Sequence, residues 1–424
     1  MSKKVLIITY YWPPAGGPGV QRWLKFVKYL PEYNIEPIVY CPSNPSYPII
    51  DLSLTSEVSG EVTVLKQSIK EPYKFAGFLS KKSKTISKGI IPENKKQGFI
   101  EKLMLYVRGN FFIPDARKGW IKPSVVYLST YITDYKIDTI ITTGPPHSLH
   151  LIGLQLKEAL GVKWIADFRD PWTSIGYHKK LKLTKSSQKK HKELEKKVLI
   201  TADKVIVTSN NTKKEFKQLT EQPIIVITNG YDVSKTAVIT RDSKFTLSHI
   251  GSFLSERNPE ILWRVLQDLR NEDDDFKSDF KLKLVGAVSD SVLKSIQHYG
   301  LNDCLDNVGY VSHNEALVFQ KKTQLLLLVE IDSEETKAII PGKIFEYMVS
   351  ERPIVAIGPT GSDVEAILKE TNTGSYFNYN DYEALKRALK THYKNFKTGD
   401  LKTQAIGLQK YSRRNLTKSL AELI

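Results

Sequence analysis

Short apolar runs alternate with amphipathic stretches along most of the chain. VLIITY (Val5 to Tyr10), PIVYC (Pro37 to Cys41), DTIITT (Asp138 to Thr143), KWIAD (Lys163 to Asp167), KVIVTS (Lys204 to Ser209) and IIVITNG (Ile224 to Gly230) each read as a buried strand. Val20 to Leu30 reads as a helix, and helical stretches separate most of the other runs. A strand that is apolar on both faces needs cover on both faces, so this rhythm predicts a parallel sheet between two helical layers. The pattern then restarts. Phe245 to Ile250, Lys281 to Val285, Leu325 to Val329 and Pro353 to Ile357 read as strands, each followed by a helical pattern. Between the halves, Asn229 to Lys244 is polar and poorly periodic, as a linker is. The expectation is two α/β domains, residues 1–229 and 230–405, followed by a helix over 406–424.

Two stretches break the rhythm. Residues 73–120 are rich in lysine, aromatics and aliphatics and read as an insertion; Lys179 to Lys197 reads as a charged helix. The length, 424 residues, exceeds one typical domain. No apolar run approaches the roughly 20 residues that span a bilayer. The apolar run near the N-terminus is too short for a signal peptide and leads into Pro13–Pro14, which suits a first buried strand better. The two cysteines, Cys41 and Cys304, exclude a disulfide framework or a zinc cluster and predict a reducing, cytoplasmic setting. The net charge of +16 points to an anionic partner, although a lysine-rich solvated surface would also produce it. Basic residues scatter over both halves without a nucleic-acid module signature, so no nucleic-acid partner is expected.

The candidate chemistry sits where strands end, on the carboxyl edge at which open α/β sheets bind ligands. Gly16, Gly17 and Gly19 follow the first strand; amides at such a turn can hold a phosphate, or the turn is merely structural. His147 and Ser148 follow DTIITT at a helix start, where serine is also a good cap. Asp167, Arg169 and Asp170 follow the next strand, either as functional charges or as an ion pair holding the loop. Arg257, in HIGSFLSERNPE, stands before a helix start and suits a diphosphate. The richest segment is Ile339 to Pro359. There Pro341–Gly342 opens a helix, Lys343 adds charge, and Glu346, one turn in, can accept hydrogen bonds from vicinal ribose hydroxyls.

In order, these segments resemble glycosyltransferase family 4, and the resemblance covers nearly the whole chain. KIFEYM followed by RPIVA is similar to the family's donor-helix signature, ITNGYD to the junction between domains, and HIGSFLSERNP to the loop carrying diphosphate-binding cations. NVGYVSHNEAL resembles the loop framing the nucleobase, with Gly309, Tyr310 and Val311 near the base. The resemblance implies an α/β, GT-B architecture of two facing Rossmann-like domains with parallel sheets. The first would be the acceptor side, the second would bind the nucleotide-sugar, and the C-terminal helix would cross back onto the first. It also implies retention of anomeric configuration and is closest to bacterial enzymes building surface polysaccharide. Many members carry two glutamates eight positions apart; Glu346 matches the second, and the first falls at Ala338, with Glu334 and Glu335 nearby. The family's usual arginine in the diphosphate loop falls at Ser252, and its usual N-domain histidine falls at Arg169, beside Asp170.

The expected enzyme is therefore a hexosyltransferase-like, metal-independent glycosyltransferase without a cofactor. His147, Arg169 and Asp170 are its candidate catalytic residues. Gly16, Gly17, Arg257, Gly309, Tyr310, Val311, Gly342, Lys343 and Glu346 are its candidate donor-binding residues, for a UDP- or GDP-sugar. The acceptor would be a glycan or lipid-linked, and the two basic stretches would contact that acceptor or an anionic membrane at its inner face, or else simply pack on their own domain. Two other readings stay open: a GT-B-like sugar-nucleotide epimerase, and a non-catalytic protein that binds a nucleotide or another anion.

Overall fold

A computed structural model describes residues 2–71, 99–179, 181–232 and 239–424. Residues 73–98 of the expected insertion, Lys180, and residues 233–238 of the expected linker lie outside the described residues. The chain divides into two compact units, Met1–Asn229 with Arg413–Ile424, and Gly230–Ser412.

The first unit holds a seven-stranded sheet in the order β3-β2-β1-β4-β5-β6-β7. Its strands are β1 (Lys3–Ile8), β2 (Ile35–Pro42), β3 (Thr63–Gln67), β4 (Thr139–Gly144), β5 (Lys163–Phe168), β6 (Lys204–Val207) and β7 (Ile224–Val226). The second unit holds a six-stranded sheet, β10-β9-β8-β11-β12-β13. Its strands are β8 (Phe245–Ile250), β9 (Phe280–Val285), β10 (Leu305–Gly309), β11 (Leu325–Val329), β12 (Ile354–Ile357) and β13 (Gly374–Phe377). Every pairing in both sheets is parallel. All residues of β4, β8 and β11 are buried, as strands covered on both faces are, and none of them carries an acidic residue, lysine or arginine.

Three strands were not expected from the apolar runs: β3, β10 and β13. Each closes one edge of its sheet and is only partly covered, so its sequence is mixed. In both sheets the strand order reverses beside the first strand, between β1 and β4 in one and between β8 and β11 in the other. A crevice opens at such a switch point, outside the carboxyl ends of the two diverging strands.

The final helix, Arg413–Ala421, belongs to the first unit. It starts later than the expected 406 because Leu408–Tyr411 is a 3-10 turn, and Tyr411 is buried in the second unit's core. Leu416, Leu420 and Ile424 pack with Val5, Trp23 and Val27. Arg414 makes a two-pronged pair with Glu32 at 2.7 and 2.8 Å. Among the described residues no helix is long and apolar enough to cross a membrane.

Candidate functional site

In the second unit, the switch point gathers residues from three places. The loop after β8 carries Arg257 in a 3-10 turn, Ser255–Arg257. Glu330 is the first residue past β11. The short helix Lys343–Met348 carries Lys343 and Glu346. This helix spans six residues, less than the sequence pattern suggests, and the amides of Ile344 and Phe345 turn back to Pro341 and Gly342 oxygens at 3.1 and 3.3 Å. Its inner face, Ile344, Phe345, Tyr347 and Met348, is buried, which anchors it and leaves Lys343 and Glu346 at the rim. Gly342 has an ordinary φ of −56° and open space where a Cβ would lie, so nothing in the unit's own packing demands glycine there.

The electrostatics of this edge are unusual. Burial, then the nearby charge of Arg257, pulls Lys343 down to about 7, with Glu346 acting the other way. Burial also lowers Arg257, against the pull of Glu330. Neither cation makes an ion pair among the described residues. Two half-buried cations this close repel each other and call for an anion. Glu330 does not serve as that anion in full. It is 3% exposed, accepts from Tyr376 Oη at 2.7 Å and Ser362 Oγ at 2.9 Å, and burial pushes it up to about 7. Glu346 accepts from Gln320 Nε2 at 3.1 Å, with His313 Nε2 at 3.6 Å from its other oxygen.

The loop expected to frame the base is also in this unit. Gly309 has φ +80°, a left-handed conformation that favours glycine, and its carbonyl accepts from Gly286 N. Tyr310 is 91% exposed, whereas Val311 packs on the core. Glu334, considered as a stand-in for the missing glutamate, is 85% exposed and pairs with Lys337. Sequence reasoning missed Glu330 and His249; their only signal was a polar residue at the end of an apolar strand.

In the first unit, the three glycines have separate reasons. Gly16 donates its amide to Ile49 O at 3.0 Å, and a Cβ there would lie 2.9 Å from the Ile49 side chain. Gly17 has φ +105° with nothing near its absent Cβ. At Gly19 a Cβ would fall 1.6 Å from Nη1 of Arg169. Arg169 donates from Nε to Gly144 O at 3.2 Å and from Nη2 to Pro145 O, and lies over the Tyr11 ring. Asp170, beside it, is raised by burial despite the Arg169 charge. Asp167 does not pair with Arg169. It accepts from Arg22 at 3.0 Å, Trp23 Nε1 at 2.9 Å and Thr143 Oγ1 at 2.8 Å, all buried, and so ties the first helix to the sheet. His147 is buried and stacks on Trp172 at 4.9 Å, with neither ring nitrogen hydrogen-bonded. Burial, then the charges of neighbouring His150 and Arg169, holds it well below the usual histidine range, so the ring is neutral. Ser148 is held by Asp115 through both its amide and its hydroxyl.

The two basic stretches meet in this unit. Helix Phe99–Phe111 packs Leu105 against Leu181 and Leu183, and Asn110 bonds the amide of Thr184 at 2.8 Å and the carbonyl of Lys182 at 3.2 Å. Its other face turns Leu103, Tyr106, Val107 and Phe111 outward, at 51%, 40%, 37% and 62% exposure. Lys102 on this helix is exposed, as are Lys118, Lys182 and Lys185 on the segments that follow it or pack against it.

Comparison with known proteins agrees with this architecture. Residues 90–235 match the profile of Glycosyltransferase Family 4, and residues 244–395 match that of Glycosyl transferases group 1, together well over half of the chain. No curated protein matches in sequence. Sucrose-phosphate synthase from Thermosynechococcus elongatus superposes with TM-score 0.58 at 14% identity, over 99% of this chain and 94% of that one. Anabaena Alr3699/HepE, solved with UDP and glucose, gives 0.58 at 14%, over 99% of each. A mutant of S. aureus TarM, solved with Fondaparinux, alpha-GlcNAc-glycerol and UDP, gives 0.59 at 13%, over 99% of each. At these identities the likeness is one of fold, and the fold is GT-B.

Proposed function

The chain belongs to glycosyltransferase family 4, and on that premise we propose that it moves a sugar from a nucleotide diphosphate to a glycan or lipid-linked acceptor, with retention of configuration, in cell-surface polysaccharide synthesis. The observation that carries the donor side is the pair of unpaired cations, Arg257 and Lys343, at the switch point of the second sheet. A diphosphate supplies the anion they call for. As the sugar leaves, negative charge grows on the diphosphate, and fixed cations stabilise it without needing a metal ion. Glu346 accepts from the ribose hydroxyls beside open Gly342, and the loop of Gly309, Tyr310 and Val311 receives the base. In the first unit, His147, Arg169 and Asp170 are the candidate catalytic residues, and Gly17 is its candidate phosphate contact. Because two of the superposed structures were solved with UDP, UDP-sugars are the first donors to test against GDP-sugars.

The outward row Leu103, Tyr106, Val107 and Phe111, flanked by exposed lysines, would seat the first unit on an anionic bilayer, which suits a lipid-linked acceptor at the cytoplasmic face. Phe111→Glu should then reduce sedimentation with vesicles containing anionic lipid, and unchanged sedimentation would refute that placement.

A thermal-shift series with UDP, GDP and their sugars identifies the nucleotide, since a ligand stabilises by RT ln(1 + [L]/Kd). Glu346→Ala should then abolish that stabilisation and sugar transfer in a reconstituted assay. Intact transfer would overturn the donor site, and epimerisation of donor without acceptor would favour an isomerase.

A further inference from the structure

His249, near the end of β8, is 1% exposed and stacks on Phe253 at 4.2 Å. Its Nδ1 lies 3.2 Å from the carbonyl of Leu327 on neighbouring β11, and its Nε2 lies 3.2 Å from Nζ of Lys343. A carbonyl only accepts, so Nδ1 carries the ring proton and donates it; an ammonium only donates, so Nε2 accepts from Lys343. Nε2 also stands 3.4 Å from the Ser252 carbonyl, a contact that needs a proton on Nε2 and so competes with acceptance from Lys343. Burial, then the charge of Lys343, holds the imidazole well below its usual range, so the ring is neutral and the lone pair is free for the lysine.

Two neighbouring features keep this pair in register. Gly251 has φ +113°, and a Cβ there would stand 2.9 Å from Lys343 Nζ, so glycine opens the path by which the lysine crosses the strand end. Tyr347 Oη accepts from Ile250 N at 2.9 Å and donates to Ile250 O at 3.1 Å, pinning the helix that carries Lys343 to the strand that carries His249. The other charged groups acting on the pair are Arg257 from the turn after β8 and Glu346 from the lysine's own helix, with Glu330 beyond Arg257.

We infer that His249 is a positioning residue: its Nε2 aims the Lys343 ammonium, and so sets the grip on the donor diphosphate, without touching the substrate. A lysine stem has many rotamers, and a single buried acceptor at its tip selects among them. This role rests on the proposed part of Lys343 in donor binding.

His249→Phe keeps an aromatic ring against Phe253 and removes the acceptor. UDP affinity, measured by calorimetry near pH 7, should fall about tenfold in the otherwise native protein and change by less than about twofold in a Lys343→Met background. Equal losses in the two backgrounds would mean that the ring merely packs, and would overturn the inference. Should His249→Phe fail to fold, long-range proton–nitrogen spectra of the wild type read the ring directly. An Nδ1–H tautomer with bare Nε2, whose nitrogen shift moves on Lys343→Met, is expected. An Nε2–H tautomer, or a shift indifferent to Lys343→Met, overturns the contact. The spectra need no ligand, so failure of UDP to bind would sink the donor-site reading while the histidine–lysine contact is still decided.

Discussion

Raising the pH should loosen UDP and make its binding consume a proton. In the empty protein, burial and Arg257 bring Lys343 from 10.5 down to about 7, so at pH 8 most molecules carry a neutral amine. A diphosphate favours the ammonium. If the bound lysine returns to the ordinary range near ~10.4, uptake is about 0.9 proton per UDP at pH 8 and about 0.1 at pH 6. Over the same interval Kd should weaken about tenfold, or ~1.4 kcal/mol. Glu330, pushed up to about 7, titrates in the same window, and an anion nearby would raise it further. The reference is therefore Lys343→Arg, which stays charged throughout; any uptake left in that variant belongs to other groups. Calorimetry in two buffers of different ionisation enthalpy yields the proton count from the difference in apparent enthalpy. A nucleotide-sugar in place of UDP removes the ionisation of the terminal phosphate, whose second pKa is near ~6. The reasoning is refuted if wild type and Lys343→Arg take up the same number of protons at pH 8 while the wild-type Kd stays flat from pH 6.

Three further outcomes follow from the geometry. Glu330 has its folded pKa raised from 4.5 to about 7, so its contribution to stability is full below the lower value and lost as pH rises through the upper. Glu330→Gln does not titrate, and urea unfolding should show the variant gaining about 2 to 3 kcal/mol on the wild type between pH 5 and pH 8, a constant difference counting against the burial argument. Asp167→Ala leaves Arg22 charged and buried without its partner, and should cost about 3 to 5 kcal/mol by chemical denaturation. Gly19→Ala puts a methyl group where Nη1 of Arg169 now lies; transfer should fall with UDP affinity unchanged, and full activity would remove Arg169 from the candidate catalytic set.

What could be read from the sequence, and what could not, follows from how far each feature reaches along the chain. Central strands such as β4 and β11 are legible because burial on both faces excludes charged residues from them, and β11 is wholly apolar. Edge strands β3 and β10 escape notice because half-exposed positions leave their composition mixed. The proposed donor segment stands out in the sequence because it is local: Gly342, Lys343 and Glu346 fall within about one turn. Its electrostatics are not local. Glu330 turns inward because Ser362 and Tyr376 supply donors from 32 and 46 residues away, whereas Glu334, with the same chemistry, stays in solvent. The glycine cluster makes the same point about steric reasons. Three glycines within four positions look like one phosphate loop. In the structure Gly16 yields to Ile49, and Gly19 yields to Arg169, 150 residues on. A glycine in sequence says that something comes close. At Gly16 and Gly19 that something is the protein itself, which leaves Gly17, with its left-handed backbone and open surroundings, as the position where a phosphate has room.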